Sequence, residues 1–89
     1  MVTRIRYTKH KGNILRSMRN FSGQQGALYK VMLDTENMTY KVINVRNSAI
    51  IRSTVKDNKT PPKHLNTLKR HAKKALQSCG VDFDLDYRS

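Results

Sequence analysis

Three short segments rich in β-branched and aromatic residues constrain the fold of this chain more than any other feature. They are "ALYKVMLD" (27–34), "TYKVINV" (39–45) and "AIIRSTVK" (49–56). The second begins 12 residues after the first, and the third 10 residues after the second, with "TENM" and "RNS" between them. Asparagine in "RNS" tolerates left-handed turn geometry. This spacing predicts three antiparallel strands joined by tight turns, a β-meander.

Alternation within the first two segments separates the two faces of the predicted sheet. Tyr29, Val31 and Leu33 share one face of the first strand, and Tyr40 and Val42 share one face of the second. Successive side chains in a strand point to opposite faces, so each set projects together from its strand.

The segment "PPKHLNTLKRHAKKALQSCG" (61–80) predicts a helix. Thr60 suits the N-cap, Pro61 the first helical position and Gly80 the C-terminal cap. At 100° per residue, the packing face would hold Leu65, Leu68, Ala72, Ala75, Leu76 and Cys79. The opposite face would hold Lys63, Arg70, Lys73 and Lys74, with no acid among them. The helix is therefore expected to pack on the sheet and to present a cationic outer face.

The first 25 residues predict a basic hairpin that precedes the meander. "VTRIRYT" (2–8) alternates like a strand, "KHKGN" (9–13) predicts a turn around Gly12 and Asn13, and "ILRSMRNF" (14–21) continues as a second strand. The alternative is a flexible basic arm. The apolar content of the segment favours the hairpin.

The last predicted element is a half-buried strand over "VDFDLDY" (81–87), in which apolar residues alternate strictly with three aspartates. A calcium loop would need a turn glycine and a distant glutamate, and neither is present. The aspartates are expected to neutralise basic strands or to form an acidic patch for a partner. The 89 residues thus predict one small α+β domain: an antiparallel sheet with one C-terminal amphipathic helix packed on one face and a short terminal strand.

Charge indicates the class of partner. The chain has 18 Lys and Arg against 6 Asp and Glu, a net charge of +12 and a pI of about 10.4. Residues 1–33 contain seven basic residues and no acid. A compact chain of this charge repels itself, and a phosphate backbone would relieve that repulsion. Nucleic acid is therefore the expected partner.

Other classes of protein are disfavoured by simple absences in the sequence. No apolar run is long enough to span a membrane, and the N-terminus lacks the apolar core of a secretory signal. The single cysteine, Cys79, is expected to be a small buried hydrophobe, which fits a reducing compartment. The expected location is the cytoplasm or nucleoid, or the interior of a virion.

The residues that carry catalysis in other proteins form no recognisable set here. His10 lies in a predicted turn among lysines, and His64 and His71 lie seven apart with no acid nearby in sequence. There is no Ser, His and Asp set at a recognisable spacing, no zinc-ligand spacing and no glycine-rich phosphate loop. The chain is therefore expected to be no enzyme and to use no cofactor or metal.

The segment from Gly26 to Cys79, three strands and then a helix, resembles the three-stranded DNA-binding domains of phage integrase arms and plant ethylene-response factors. The matching features are "GALYKVMLD", "MTYKVINV", "AIIRSTVKD" and a helix with two alanines on its packing face. The resemblance implies that one face of the sheet enters the DNA major groove, with contacts from Lys30, Lys41, Arg46 and Arg52. The double-stranded-RNA-binding fold also ends in three strands and a basic helix, so RNA remains an alternative to DNA.

The resulting expectation is a non-catalytic nucleic-acid-binding protein that contacts phosphates through the N-terminal segment, the sheet and the outer helix face. The candidate contacts are Arg4, Arg6, Lys9, Lys11, Arg16, Arg19, Lys30, Lys41, Arg46, Arg52, Lys63, Arg70, Lys73 and Lys74. The alternative is a small structural protein of a viral particle or nucleoprotein complex. It would self-associate through sheet edges or the acidic strand 81–87.

Overall fold

The computed structural model describes residues 5–81, so Arg4 and most of the predicted strand 81–87 lie outside the described residues. The predicted α+β class is confirmed: strands form an antiparallel sheet, and one helix packs against it. The elements are β1 (Tyr7–Lys11), β2 (Ile14–Ser17), β3 (Phe21–Ser22), a 3-10 turn (Gln24–Gly26), β4 (Leu28–Asp34), β5 (Thr39–Asn44), β6 (Ala49–Ser53) and α1 (Leu65–Ser78).

Within residues 5–81 the strands form a single sheet in the order β1-β2-β4-β5-β6, and β3 pairs with β4 beyond the end of β2. The predicted meander is confirmed as β4, β5 and β6. The third strand ends at Ser53, earlier than predicted. The chain turns there because the Ser53 hydroxyl accepts the Lys56 backbone N–H at 3.0 Å and the Ser53 carbonyl accepts that of Asp57 at 3.0 Å.

The N-terminal hairpin is also confirmed, with β1 and β2 paired antiparallel. Its turn is shorter than predicted, because Gly12 and Asn13 suffice to reverse the chain, with Gly12 at a φ of +54°. Lys9 to Lys11 therefore continue the strand, and His10 lies in β1 and not in a turn. A bulge between Lys9 and Lys11 absorbs one residue.

Helix α1 begins four residues later than predicted, so the prediction that Thr60 is the N-cap is wrong. His64 occupies the N-cap with extended backbone and no side-chain hydrogen bond to the helix. Each proline disfavours helical backbone at the residue before it, so Pro61 and Pro62 keep the preceding residues extended. The predicted C-terminal role of Gly80 is confirmed by its φ of +85°, just beyond the helix end.

The core lies between α1 and one face of the sheet. Its buried apolar residues are Phe21, Val31, Leu33, Tyr40, Val42, Leu68, Ala72, Ala75, Leu76 and Val81. The predicted packing faces of the first two meander strands and of the helix therefore meet. Two helix residues are less buried than predicted: Leu65 is 37% exposed and Cys79 is half-buried. A helical side chain lies over the turn that precedes its own residue. Because α1 begins at Leu65, the Leu65 side chain has no such turn to cover and stays partly exposed.

Candidate nucleic-acid interface

The sheet has a second face, on the side opposite α1, which we call the open face. Val31 and Leu33 of β4 are buried beneath α1, so the alternate residues Lys30 and Met32 project from the other side. Directly paired residues of neighbouring strands share a face, which extends the assignment across the sheet. The open face comprises Lys11, Ile14, Arg16, Lys30, Met32, Asp34, Thr39, Lys41, Ile43 and Ile50.

Four of the predicted cationic contacts lie on the open face: Lys11, Arg16, Lys30 and Lys41. Arg16 pairs with Met32, and Met32 pairs with Lys41, so these three residues form a row across β2, β4 and β5. With strands about 4.8 Å apart, the backbones of Arg16 and Lys41 are separated by about 10 Å. Sheet pairing thus brings together cations that are 25 positions apart in the sequence.

The single acid of the open face, Asp34, is held within the turn between β4 and β5. Its Oδ1 accepts the backbone N–H groups of Glu36 at 3.0 Å and Asn37 at 3.1 Å, and its Oδ2 accepts the Asn37 side-chain amide at 2.9 Å. These bonds, that of the Asn37 side chain foremost, lower the pKa of the Asp34 carboxyl. Asp34 therefore stays ionised and stabilises the turn. The four cations still outnumber it.

Apolar side chains fill the spaces between the cations of the open face. Ile14, Met32 and Ile43 are half-buried, Ile50 is 44% exposed, and they line a shallow groove beside Lys41. An exposed sheet face with methyl groups between lysines and arginines can make apolar contacts with bases while its charges contact phosphates.

The resemblance implied that Arg46 and Arg52 share a face with Lys30 and Lys41, and for Arg52 this is wrong. A bulge in β6 places Ile50 opposite Ile43 but Arg52 opposite Val42, whose side chain is buried beneath α1. Unbroken pairing from Ile50 would have set Arg52 opposite Lys41, on the open face. The extra residue therefore moves Arg52 to the α1 side of the sheet.

Both arginines have partners within the protein. Arg52 forms an ion pair with Asp57, with 3.2 Å between Nη1 and Oδ1. Arg46 lies in the turn between β5 and β6, where its Nε donates to the Gly26 carbonyl at 2.9 Å. They hold the turns in place and stand apart from the cations of the open face.

The other predicted contacts of the N-terminal segment are scattered. Lys9 pairs with Leu15, which packs against the core, so Lys9 projects on the α1 side of the edge strand. The Arg19 guanidinium lies 5.3 Å from the centre of the Phe21 ring. Arg6 is exposed just before β1.

The predicted cationic outer helix face is present in part. Arg70 and Lys74 are exposed, and Lys73 is half-buried. Lys63 is exposed but precedes the helix, because α1 begins at Leu65. The Lys69 ammonium lies 5.6 Å from the centre of the Tyr7 ring.

Two exposed cations that the sequence reasoning did not select, Lys56 and Lys59, lie in the loop after β6. The loop folds back towards α1 and brings both lysines to a cleft that they share with His71 and Lys74. The sequence signal was the pair of lysines in "KDNK", but nothing local in that stretch indicates which helix face it approaches.

No protein-family model matches the chain, and no match is found among curated proteins or solved structures. Among residues 5–81, no group of three or more His, Cys, Asp or Glu side chains is placed to hold a metal ion. In the same part of the chain, no helix combines the length and apolar character needed to cross a membrane.

Proposed function

We propose that this protein is a non-catalytic nucleic-acid-binding module that contacts phosphates through the open face of its sheet. The observation that supports the proposal best is the sign of the charge on that face. Among residues 5–81 the face carries four cations, Lys11, Arg16, Lys30 and Lys41, against one acid, Asp34, whose oxygens accept hydrogen bonds within its turn. Antiparallel sheets often leave one face to water, but such a face usually mixes both signs of charge.

The binding free energy would come mainly from counterion release. Each phosphate that a lysine or arginine neutralises on duplex DNA contributes about −0.9 to the slope of log K against log salt concentration. Four contacts from the open face therefore give a slope of about −3.6. Exposed cations beside the open face would add to this value where the bound strand reaches them, whereas Lys63 and Arg70, at and just before α1 on the other side of the sheet, would not.

The spacing of Arg16 and Lys41 on the open face favours duplex DNA over duplex RNA. The row from Arg16 to Lys41 spans about 10 Å, from the usual strand spacing. The major groove of B-form DNA is about 12 Å wide and admits strands, whereas that of A-form RNA is deep and narrow. Such a module would act wherever nucleic acid is accessible: in the cytoplasm, at the nucleoid or within a virion.

The alternative, an assembly protein, would self-associate through the acidic segment 81–87 or through the edge strands of the sheet, which among residues 5–81 are β1 and β6. An open edge pairs readily with another chain, but lysines on the edge oppose such pairing. β1 carries Lys9 and Lys11, and at β6 the Lys56 ammonium lies 3.5 Å from the Ile50 carbonyl. These edges therefore favour a module that binds nucleic acid over one that extends its sheet into a neighbour.

The test removes two charges from the open face in the variant Lys30→Gln/Lys41→Gln. The matched control, Lys63→Gln/Arg70→Gln, removes the same charge at and just before α1. Binding is measured by fluorescence anisotropy at several salt concentrations, with duplex DNA, single-stranded DNA and duplex RNA that all end in 5′-hydroxyl groups. The open-face variant should bind duplex DNA more weakly, with a slope less steep by about 1.8. The control should keep the parental slope.

Two outcomes would count against the proposal. Equal losses in both variants would mean that overall charge, and not the open face, drives binding. No binding by the parent, together with a large oligomer that persists at high salt in size-exclusion chromatography, would support the assembly alternative.

A further inference from the structure

A second cationic site lies on the α1 side of the sheet, where the loop after β6 meets the helix. A cleft of about 490 Å³ separates the two elements. Loop, strand and helix contribute charged or titratable side chains to its walls: Arg52, Lys56, Asp57, Lys59, His71 and Lys74. Two lysines of the loop, Lys56 and Lys59, and one of the helix, Lys74, thus converge on one concavity.

The single acid of the cleft has donors on both carboxylate oxygens. The Tyr40 hydroxyl donates to Asp57 Oδ2 at 2.7 Å, and Arg52 Nη1 donates to Oδ1 at 3.2 Å. The hydrogen bond from Tyr40 is the main cause that lowers the pKa of Asp57. Among the lining residues within 5–81, Arg52 offsets the charge of Asp57, which leaves the charge of the three lysines uncompensated.

The loop that carries Lys56 and Lys59 is held in place by hydrogen bonds from buried residues. The Ser53 hydroxyl accepts the Lys56 backbone N–H at 3.0 Å, and the Thr54 carbonyl accepts that of Lys59 at 2.9 Å. The Thr54 hydroxyl in turn accepts the Tyr40 N–H at 2.9 Å, which ties the loop to β5. The positions of the two lysine backbones are therefore set before any ligand arrives, which reduces the entropy lost on binding.

We infer that this cleft binds a phosphate group close to the dianion: a phosphate monoester in a free nucleotide or at the 5′ end of a nucleic acid, or inorganic phosphate. A monoester carries a charge of about −1.5 to −2 at neutral pH, against −1 for a phosphate within the backbone, and three terminal oxygens against two. Lysine ammonium groups bind phosphate as point charges from any direction. Three lysines in one concave site favour a small dianion that fits inside the cleft. A phosphate within a nucleic-acid backbone fits less well, because its strand would have to continue out of the cleft on both sides.

This site goes beyond the proposed function, because it lies on the other face of the sheet from Lys30 and Lys41. Arg52 pairs with the buried Val42, and helix residues form the opposite wall of the cleft. The open face and the cleft can therefore be tested with separate substitutions.

The experiment titrates the ¹⁵N-labelled protein with inorganic phosphate, AMP or adenosine and follows the backbone amide shifts. Phosphate and AMP should shift amides of residues 54–59 and of α1 near His71, and adenosine should not. The variant Lys56→Gln/Lys59→Gln should bind AMP at least tenfold more weakly, while Lys63→Gln/Arg70→Gln should match the parent. All four side chains are exposed, so the fold should persist. Lys74→Gln, on the opposite wall, provides an independent second variant.

A further comparison of oligonucleotides distinguishes two sources of the phosphate group: the 5′ end of a strand, and a free nucleotide or inorganic phosphate. If the cleft binds strand ends, a 5′-phosphorylated strand should bind more tightly than the same strand with a 5′-hydroxyl. This difference should disappear in Lys56→Gln/Lys59→Gln. Equal affinity for the two strands, with AMP still bound, assigns the cleft to free nucleotide or phosphate. Absence of amide shifts in the cleft, or an equal loss of AMP binding in the Lys63→Gln/Arg70→Gln control, would overturn the inference. Neither result depends on the open face. If the open face proves not to bind nucleic acid, the test of the cleft is therefore still valid.

Discussion

Two tyrosines of the core, Tyr7 and Tyr40, should respond in opposite directions to the same substitution by phenylalanine. The hydroxyl of Tyr7 is buried and has no hydrogen-bond partner among the described residues. Tyr40 is 1% exposed, and its hydroxyl donates to Asp57 at 2.7 Å. Both substitutions keep the aromatic ring, so each reports on the loss of the hydroxyl group.

The expected magnitudes follow from the hydrogen-bond partners. A buried polar group without a partner costs about 1–3 kcal/mol, so Tyr7→Phe should stabilise the protein by about 1 kcal/mol or more. The ring remains, and with it the contact of Lys69 at 5.6 Å. Tyr40→Phe removes a hydrogen bond to a charged group, worth about 1.5–3 kcal/mol, and should destabilise by about that amount. For a domain of this size, 1 kcal/mol corresponds to about 4–8 °C in Tm.

The same two hydroxyl groups should make the free energy of unfolding fall more steeply with pH at alkaline pH. Burial raises the pKa of both phenols above the usual value, and for Tyr40 the hydrogen bond to Asp57 adds to the effect. The unfolded chain therefore releases these protons first, near pH 10, so the stability is insensitive to these two groups below that pH and falls as the pH rises above it. Each group should steepen the decline by about 1.4 kcal/mol per pH unit, and Tyr7→Phe should remove one such contribution.

The assay is thermal and urea unfolding of the parent and both variants, followed by circular dichroism at pH 7 and above pH 10. A destabilised Tyr7→Phe would refute the reasoning, because it would show that the hydroxyl has a partner in the folded protein. An alkaline decline that is equally steep in Tyr7→Phe and the parent would contradict the linkage argument.

Three further predictions concern packing and acid stability. Leu68→Ala should cost about 2–5 kcal/mol, since Leu68 is fully buried; an unchanged Tm would mean that α1 does not anchor the sheet as described. Gly23→Ala should cost about 1–3 kcal/mol by overpacking, because an added Cβ would overlap the Tyr29 ring and lie 3.2 Å from the Cys79 carbonyl oxygen; a calorimetric melt equal to that of the parent would argue against this contact. The pKa of Asp57 is lowered in the fold, so its contribution to stability is present above about pH 4 and is lost as the pH falls below that value. Asp57→Asn should therefore show a smaller loss of stability on acidification than the parent, and an identical acid profile would count against the ion pair.

Local patterns in the sequence predicted most of the sheet and the core face of the helix. The period-two alternation of the meander and the helical spacing of Leu68 and Leu76 both survive in the structure, because each set is buried by the other. Gly12 and Gly80 were placed at chain reversals, and both adopt the left-handed backbone that glycine permits.

Three features of the structure do not follow from the local patterns that predicted the strands and the helix. The bulge in β6 changes the face of Arg52, and no local feature of "AIIRS" indicates it. The helix start was misplaced because Pro61 alone suits a first helical position, whereas a second proline directly after it keeps the backbone extended. The cleft could not be predicted, since Lys56 and Lys59 meet Lys74 only after the loop folds back on α1.

The central claim is that the open face of the sheet contacts nucleic acid, and backbone amide shift mapping of the ¹⁵N-labelled protein with duplex DNA tests it most directly. The DNA should end in 5′-hydroxyl groups, so that the cleft is not engaged through a terminal phosphate. The largest shifts should fall on alternate residues of the sheet, with Arg16, Lys30, Lys41 and Ile43 among them, and should diminish as salt is added. Shifts confined to α1 and the loop after β6, or no shifts at low salt, would contradict the claim.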